Sequence, residues 1–438
     1  MAGQLTGNGQ TEVDIYTNML GIGRGMRRIT HIQKEITCAV KLVSDKVIKE
    51  NIRCEINTSD KCKFTNKPLL SVCVDTRWGT QAKFASTDTV FTAAGNHTNL
   101  FMNAQAFSNC CILCTKGIPH SPLECAKNID GHAKQMEAIG ARMFVLGIFE
   151  EWDAYVREIV ADDDSSIRRI LKHKFKKLFE LGLIPERPRY ESGALKPDNG
   201  ELPVEHVEIH FFSDRNHRVR SIAKDFFILG RKKLSECIGT THDAERLKRN
   251  LSYAIRGNCD KTIDDLTTAV KSVLEHHFNN HEFCGDWCQC KGKTEEELKD
   301  LKLKYRDKSI HAKFYAQLQP IFQKCLDKIA DVYHTYNSNI NEGFNKLICK
   351  FVPKDRNFNG TKEYKPRVNI AVCIDSVGYL ETYVDLFNEM DMKLSYNLVR
   401  KLHSMNTRKK YKRNYQQKIE VKRKRIQTFH DKLRKGEA

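Results

Sequence analysis

The chain has 438 residues, 40% of them hydrophobic, which is enough for two or three domains with substantial cores and excludes a disordered chain. Lys plus Arg number 73 against 55 for Asp plus Glu, and the net charge of +18 calls for a polyanionic partner, nucleic acid first and an anionic membrane surface second. No apolar signal region opens the chain and no apolar run is long enough to span a bilayer, so the 16 cysteines are expected in a reducing compartment, as thiols or metal ligands.

Residues 1–65 carry little pattern beyond a possible amphipathic helix from Ile32 to Ile48, and Cys54 and Cys62 read as isolated thiols. The first clear element is Leu69-Leu70-Ser71-Val72-Cys73-Val74, a short apolar run that reads as a buried central strand ending in Asp75. A carboxylate at such a strand end is held rigidly at the edge of the core, where ligand sites of α/β sheets gather. Asp75 could equally begin a turn. Thr89–Ala93 and Leu100–Phe107 predict two more strands, and three in a row suggest an antiparallel meander opening a mixed sheet.

Cys111-x2-Cys114 follows, with His120, Cys125 and His132 close behind. Two thiols across a short turn make a zinc half-site; Cys125 is the natural third ligand, and His120 and His132 compete for the fourth place. Met136, Ile139, Met143, Leu146 and Phe149 predict a helix from Ile129 to about Trp152, and Tyr155–Val160 predicts a strand. That strand runs into Asp162-Asp163-Asp164-Ser165-Ser166, ahead of a helix with Ile167, Ile170, Leu171, Phe175 and Leu178 on its apolar face. Three adjacent carboxylates exceed what a helix start needs, and their repulsion calls for a cation. Val204–Ser213 alternates as a strand, and Asp214 reads as the cap of the helix after it.

From Arg218 to about Tyr336 the pattern is helical, over Asp243–Ala254, Thr262–His277 and Ser309–His334. A polar connection carrying His281, Cys284 and Cys288 interrupts it, a second zinc candidate for which His277 could supply the fourth ligand. A helix with Phe344, Leu347, Ile348 and Phe351 on its core face begins near Glu342, which by periodicity alone is a solvated first-turn glutamate. Two helices, around Val368–Asn388 and Met392–His403, complete the core. The tail is basic, with Arg408, Lys409, Lys410, Lys412 and Arg413, then Lys422, Arg423, Lys424 and Arg425, and with Tyr411 and Tyr415 between; a DNA-backbone contact, a nuclear import signal and a solvated helix all suit it.

Several blocks, in this order, resemble the Mutator-like transposase domain. Val74-Asp75-Thr76-Arg77-Trp78 is similar to that family's first-Asp strand, and Cys111-x2-Cys114 with Cys125, Asn128, Gly131 and Met136-Glu137 to its cysteine-rich segment. Asp162-Asp163-Asp164-Ser165 is similar to its Asp-Gly-Asp-Ser motif, Phe212 to His217 to its Asp/Cys-x2-His element, and Asn341-Glu342-x2-Asn345-x2-Ile348-x-Lys350 with Pro353-Lys354 to its third-acid helix. The chain departs from the family in having Asp163 where the family has glycine, which leaves Asp162 or Asp164 as the second acid, Asp162 being preferred as the one nearest the strand end. It also has Leu123 where a histidine is expected.

The resemblance implies an α/β fold: an RNase H-like mixed sheet flanked by helices, interrupted by a large all-helical insertion. Its expected divisions are an N-terminal segment over 1–65, a core over 66–217 and 336–403, the insertion over 218–335 and a basic tail over 404–438. It implies a DDE-type DNA transposase in the nucleus, acting on double-stranded DNA at transposon ends and target, as a homo-oligomer. The implied catalytic residues are Asp75, Asp162 and Glu342, holding two Mg2+ or Mn2+ ions with Asp75 bridging; the spacing and density of the ligands add an expectation of structural Zn2+ at Cys111, Cys114 and Cys125 and at His281, Cys284 and Cys288. The alternatives are a transposase-derived DNA-binding protein without activity and a zinc-stabilised interaction module.

Overall fold

The computed structural model describes residues 26–62, 65–79, 86–121, 125–162, 167, 168, 171, 209–231, 240–285, 287, 288, 290, 293, 294, 296, 297, 306–334, 336, 339–353, 358, 360–418, 420 and 421. Six strands form one mixed sheet: β1 (Asp60–Lys61), β2 (Pro68–Trp78), β3 (Asp88–Gly95), β4 (Phe101–Ser108), β5 (Tyr155–Ala161) and β6 (His210–Ser213). Their order is β4-β3-β2-β5-β6, with β1 paired to the start of β2. The β2-β3-β4 meander is antiparallel, whereas β5 and β6 run parallel to β2. β2 is buried on both faces, which is why its sequence reads as a continuous apolar run.

Leu70, Val72 and Val74 pack with Met136, Phe144, Val145 and Ile148 of a helix over Ala133–Trp152, the second and longer of two helices after the meander, the first being the single turn Ile112–Thr115. We label these α3 and α2, and the N-terminal helix Met26–Thr58 α1. α1 extends well beyond the expected Ile32–Ile48 because its buried face continues past Val47 with polar residues. Ile36, Val40, Val43 and Val47 are followed at the same spacing by Asn51 and Glu55. Asn51 Nδ2 donates to the Phe101 carbonyl at 2.8 Å. The fully buried Glu55 carboxylate accepts from His97 N (3.2 Å), Thr98 N (2.9 Å) and Thr98 Oγ1 (2.6 Å), and so clasps the β3–β4 turn.

A second core belongs to the helices between β6 and the C-terminal part of the chain: α4 (Arg215–Arg231), α5 (Thr241–Arg256), α6 (Ile263–His277) and α7 (Ala312–Leu326). Thr240 and Thr262 begin α5 and α6 with capping boxes closed by Asp243 and Asp265. The expected helix over Ser309–His334 is shorter than predicted; α7 ends at Leu326 and a 3-10 turn covers Ile329–Val332.

α8 (Asn339–Phe351), α9 (Tyr364–Ser376), α10 (Tyr379–Glu389) and α11 (Tyr396–Gln417) pack with α1 on the sheet face opposite α3. The single helix expected over Val368–Asn388 is two. Gly378 breaks it at φ 96, a conformation suited to glycine, and Asn406 Oδ1 accepts from the freed Tyr379 N at 2.6 Å. The helix expected to end at His403 runs on to Gln417 and carries the first half of the basic tail. Among the described residues no helix is long and apolar enough to cross a membrane.

Candidate functional site

Alternation along β2 sets the site. Cys73, Asp75 and Arg77 share one face; the first two bond to α8 and the third to the residue that follows that helix. Asn341 Nδ2 lies 3.3 Å from Cys73 Sγ, Asn345 Nδ2 donates to Asp75 Oδ2 at 2.7 Å, and Arg77 Nη2 donates to the Val352 carbonyl at 2.8 Å. Strand and helix are therefore fixed against each other along the whole length of α8. Asn341 and Asn345 are one helical turn apart, and Glu342 projects beside them from the first turn.

The parallel registers align the acids. Cys73 pairs with Val160, Val160 with Phe212 and Ala161 with Ser213. Asp75 and Asp162 each stand two residues beyond a paired position, and Asp214 comes directly after the last pair. Asp162 and Asp214 thus stand at the carboxyl ends of two adjacent parallel strands, whereas Asp75 lies inside β2, which does not end there as expected but runs on to Trp78 in pairing with β3; neighbouring strands are about 4.8 Å apart in any such sheet. The fully buried Cys73 thiol lies beneath them; burial first, then the charges of Asp214, Asp75 and Asp162, push its pKa well up.

Burial also raises the pKa of Asp75, and nearby Glu342 adds to the rise. The Thr76 N–H (2.8 Å), Asn345 and the charge of His217 oppose it. α4 supplies two basic groups from one face: His217 Nδ1 lies 3.1 Å from Asp162 Oδ2, and Arg220 Nη1 lies 3.8 Å from Glu342 Oε1. Asp214 does cap α4, accepting from His217 N at 2.8 Å, as its sequence position predicts; it is also fully buried behind the acidic edge.

Asp75, Asp162 and Glu342, far apart in sequence, are therefore linked through His217, Asn345 and Arg220. Asp163 and Asp164 lie outside the described residues, so Asp162 is the member of the acidic triplet that can be located. Sequence reasoning took Asn345 and His217 only as motif letters and missed Arg220. The asparagine signal was available, because Asn341 and Asn345 at i, i+4 form a polar stripe on the helix face that meets the sheet.

The oxygen-rich donor set is of the kind a hard divalent cation takes, although among the described residues the three acids are not one of the groups whose ligand atoms lie within 4.8 Å of one another. Its fit rests on two observations. Half-buried Asp75 has its proton affinity raised by burial and by a second carboxylate, and Asn345 Oδ1 is buried without a hydrogen-bond partner next to it.

The cysteine-rich segment forms a separate cluster. The ligand atoms of Cys111, Cys114, His120 and Cys125 all lie within 4.8 Å of one another. His120 Nε2 is 3.7 Å from Cys111 Sγ and 3.4 Å from Cys114 Sγ, and Cys114 and Cys125 are 3.7 Å apart. Zinc–ligand bond lengths place tetrahedral N–S and S–S neighbours at about 3.5 and about 3.8 Å, so the geometry is compatible with zinc. His120 is the fourth member; His132 caps α3 instead.

The second Cys/His cluster departs from expectation. The mutually close set is His276, His281, Cys288 and Cys290. His277 is turned away to Asp243, 3.3 Å from its Oδ1. Helical spacing explains this: His277 follows Leu266, Val270 and Val273 on the core face of α6, which leaves His276 to face the loop. Burial works against the Asp243 charge, but hydrogen bonds from His277, Arg306 and Thr240 hold its pKa well below the usual range. Cys284 falls outside the four-member set, with its Sγ 3.5 Å from His276 Nδ1.

In the tail, Arg408, Lys410 and Lys412 are exposed. Lys409 is not free for DNA: its Nζ donates to the Ile374 carbonyl at 2.9 Å and lies 3.5 Å from Asp375 Oδ1, tying α11 to the end of α9. The Arg413 side chain and Lys422, Arg423, Lys424 and Arg425 lie outside the described residues. Residues 1–181 match the family model described as Mutator-like transposase, a stretch that includes Asp75, Asp162 and the first cysteine cluster but not Glu342. No curated protein and no solved structure matches the chain.

Proposed function

From the match of residues 1–181 to Mutator-like transposases, we propose that this protein is a DNA transposase whose DDE-type active site is Asp75, Asp162 and Glu342 on an RNase H-like core. The observation that carries the reading is the register that sets Asp75 of β2 level with Asp162 after β5, each two residues beyond the Cys73–Val160 pair, with Glu342 of α8 near enough to raise the Asp75 pKa. The strand order, an antiparallel meander followed by two strands parallel to its first long member, supports the RNase H-like assignment.

The three carboxylates would hold two divalent cations, Mg2+ or Mn2+, which when bound supply an activated water or 3′-hydroxyl and stabilise the leaving oxygen. The chain's own residues prepare the site. Asn345 and the Thr76 N–H fix the two oxygens of Asp75. His217 lies against Asp162 and Arg220 offsets the charge of Glu342, and the Arg220 guanidinium is positioned to meet a phosphodiester. The net charge of +18 and the exposed Arg408, Lys410 and Lys412 favour a long DNA contact, and the same basic segment suits nuclear import. Zn2+ at Cys111, Cys114, His120 and Cys125 would be structural, with all four positions filled by protein.

A nicking assay with Mg2+ or Mn2+, run beside a binding assay on the same DNA, tests this function. Asp75→Asn and Glu342→Gln should lose cleavage and keep DNA binding. Cleavage by both variants at the parent's rate would refute the assignment. Binding without cleavage by the parent on any DNA, transposon ends included, would favour the inactive DNA-binding alternative.

A further inference from the structure

The helical insertion lies outside the matched residues 1–181, and the catalytic proposal makes no use of its Cys/His cluster. We propose that the C-terminal turn of α6 and the loop after it form a structural zinc site with His276, His281, Cys288 and Cys290 as its ligands. The inference goes beyond the transposase reading and does not depend on it.

Three observations carry it. The first is spacing. His276 Nδ1 and His281 Nδ1 are 3.0 Å apart, and Cys288 Sγ lies 3.5 Å from the first and 3.6 Å from the second. Zinc bonds of about 2.0 Å to nitrogen and 2.3 Å to sulfur put tetrahedral neighbours at about 3.3 Å for N–N and about 3.5 Å for N–S. A set of two imidazoles and two thiols is also the chemistry zinc selects over harder cations.

The second is orientation. His281 Nε2 lies 3.3 Å from Asn279 Oδ1, so Asn279 takes the Nε2–H and leaves the Nδ1 lone pair facing His276 and Cys288. The Cys290 N–H points at Cys288 Sγ at 3.3 Å, as a backbone donor does beside a metal-bound thiolate.

The third is packing. Cys284, Cys288 and Cys290 are all buried, yet among the described residues their apolar cluster contains no other buried hydrophobic side chain and is joined only by the half-buried Trp287. So small an apolar group supplies little of the burial that holds a loop in place, and a metal cross-link supplies what the core lacks. Four protein ligands leave no open position, so the ion would fasten the loop to α6, whose opposite face is part of the insertion core.

The test uses the full chain, purified without added metal, with zinc measured by elemental analysis. In a Cys114→Ser/Cys125→Ser background, which removes the first cluster, about one equivalent of zinc should remain. Adding Cys288→Ser and Cys290→Ser should remove it, whereas Cys284→Ser should keep it. Should the combined variant fail to fold, the Cys114→Ser/Cys125→Ser protein reloaded with cobalt(II) decides the question. Thiolate-to-cobalt charge-transfer absorption with tetrahedral ligand-field bands is expected. Absence of those bands, zinc retained without Cys288 and Cys290, or zinc lost with Cys284→Ser would overturn the proposed site.

Discussion

Replacing Asn345 by alanine isolates the support given to Asp75 from the carboxylates themselves. Asn345 Nδ2 donates to Asp75 Oδ2 at 2.7 Å, a short bond to a charged acceptor in a half-buried setting. Bonds of that kind are worth about 1.5–3 kcal/mol. Loss of a group that orients a metal ligand typically costs 10–100-fold in metal affinity, which is about 1.4–2.7 kcal/mol. The two ranges agree, so Asn345→Ala should raise the Mn2+ concentration for half-maximal nicking by roughly 10–100-fold. It should also move the acid limb of the pH–rate profile upward. Burial already raises the Asp75 pKa, Asn345 lowers it, and removing Asn345 leaves the rise less opposed. Since Asp75 must be ionised to hold a cation, activity would then begin at higher pH. The assay is nicking against Mn2+ concentration at several pH values, with direct Mn2+ binding to the metal-free protein alongside. A variant that is less stable but keeps the parent's metal dependence and acid limb would refute the reasoning, and Asn345 would be a packing residue.

Asp75→Asn should abolish cleavage yet stabilise the metal-free protein at neutral pH, because it removes a carboxylate whose charged form burial disfavours. Because folding raises the pKa of this acid, the parent's penalty is absent below the unfolded carboxylate pKa and complete above the folded one. The advantage should therefore shrink on acidification, and melting curves in chelator that are equal at neutral pH would count against it. Glu55→Ala removes three hydrogen bonds from the β3–β4 turn and should cost about 3–5 kcal/mol in urea unfolding. A loss below about 1 kcal/mol would mean that water replaces the carboxylate. In the tail, Arg408→Ala with Lys410→Ala and Lys412→Ala should weaken DNA binding and flatten its salt dependence, while Lys409→Ala should lower stability and leave the salt slope nearly unchanged. Equal slopes for the two variants would remove the distinction between them.

Local pattern was enough to locate most elements and the acids themselves. The apolar run before Asp75, the Thr-x2-Asp starts of α5 and α6 and the stripe of α8 are all short-range signals of period two or near four, while of the strand expected over Val204–Ser213 the structure shows His210–Ser213, residues 204–208 lying outside the described ones. The ligand density around Cys111 and His281 was legible for the same reason. Three things were decided only by the tertiary structure. α1 and α11 outrun their apolar stripes, because Asn51 and Glu55 find partners on the β3–β4 hairpin and Lys409 finds them at the end of α9. His120 rather than His132, and His276 rather than His277, join the clusters, because one histidine of each pair is already committed to a helix cap or a helix core face. The acids share one region because the parallel register of β2, β5 and β6 sets Asp75 level with Asp162 and next in order to Asp214, residues distant in sequence, and the hydrogen bonds at Cys73, Asp75 and Arg77 fix where α8 lies. Glu342 illustrates the division: its periodicity marks it as a solvated first-turn residue, and only the placement of α8 against β2 brings its charge to bear on Asp75 and sets it 3.8 Å from Arg220.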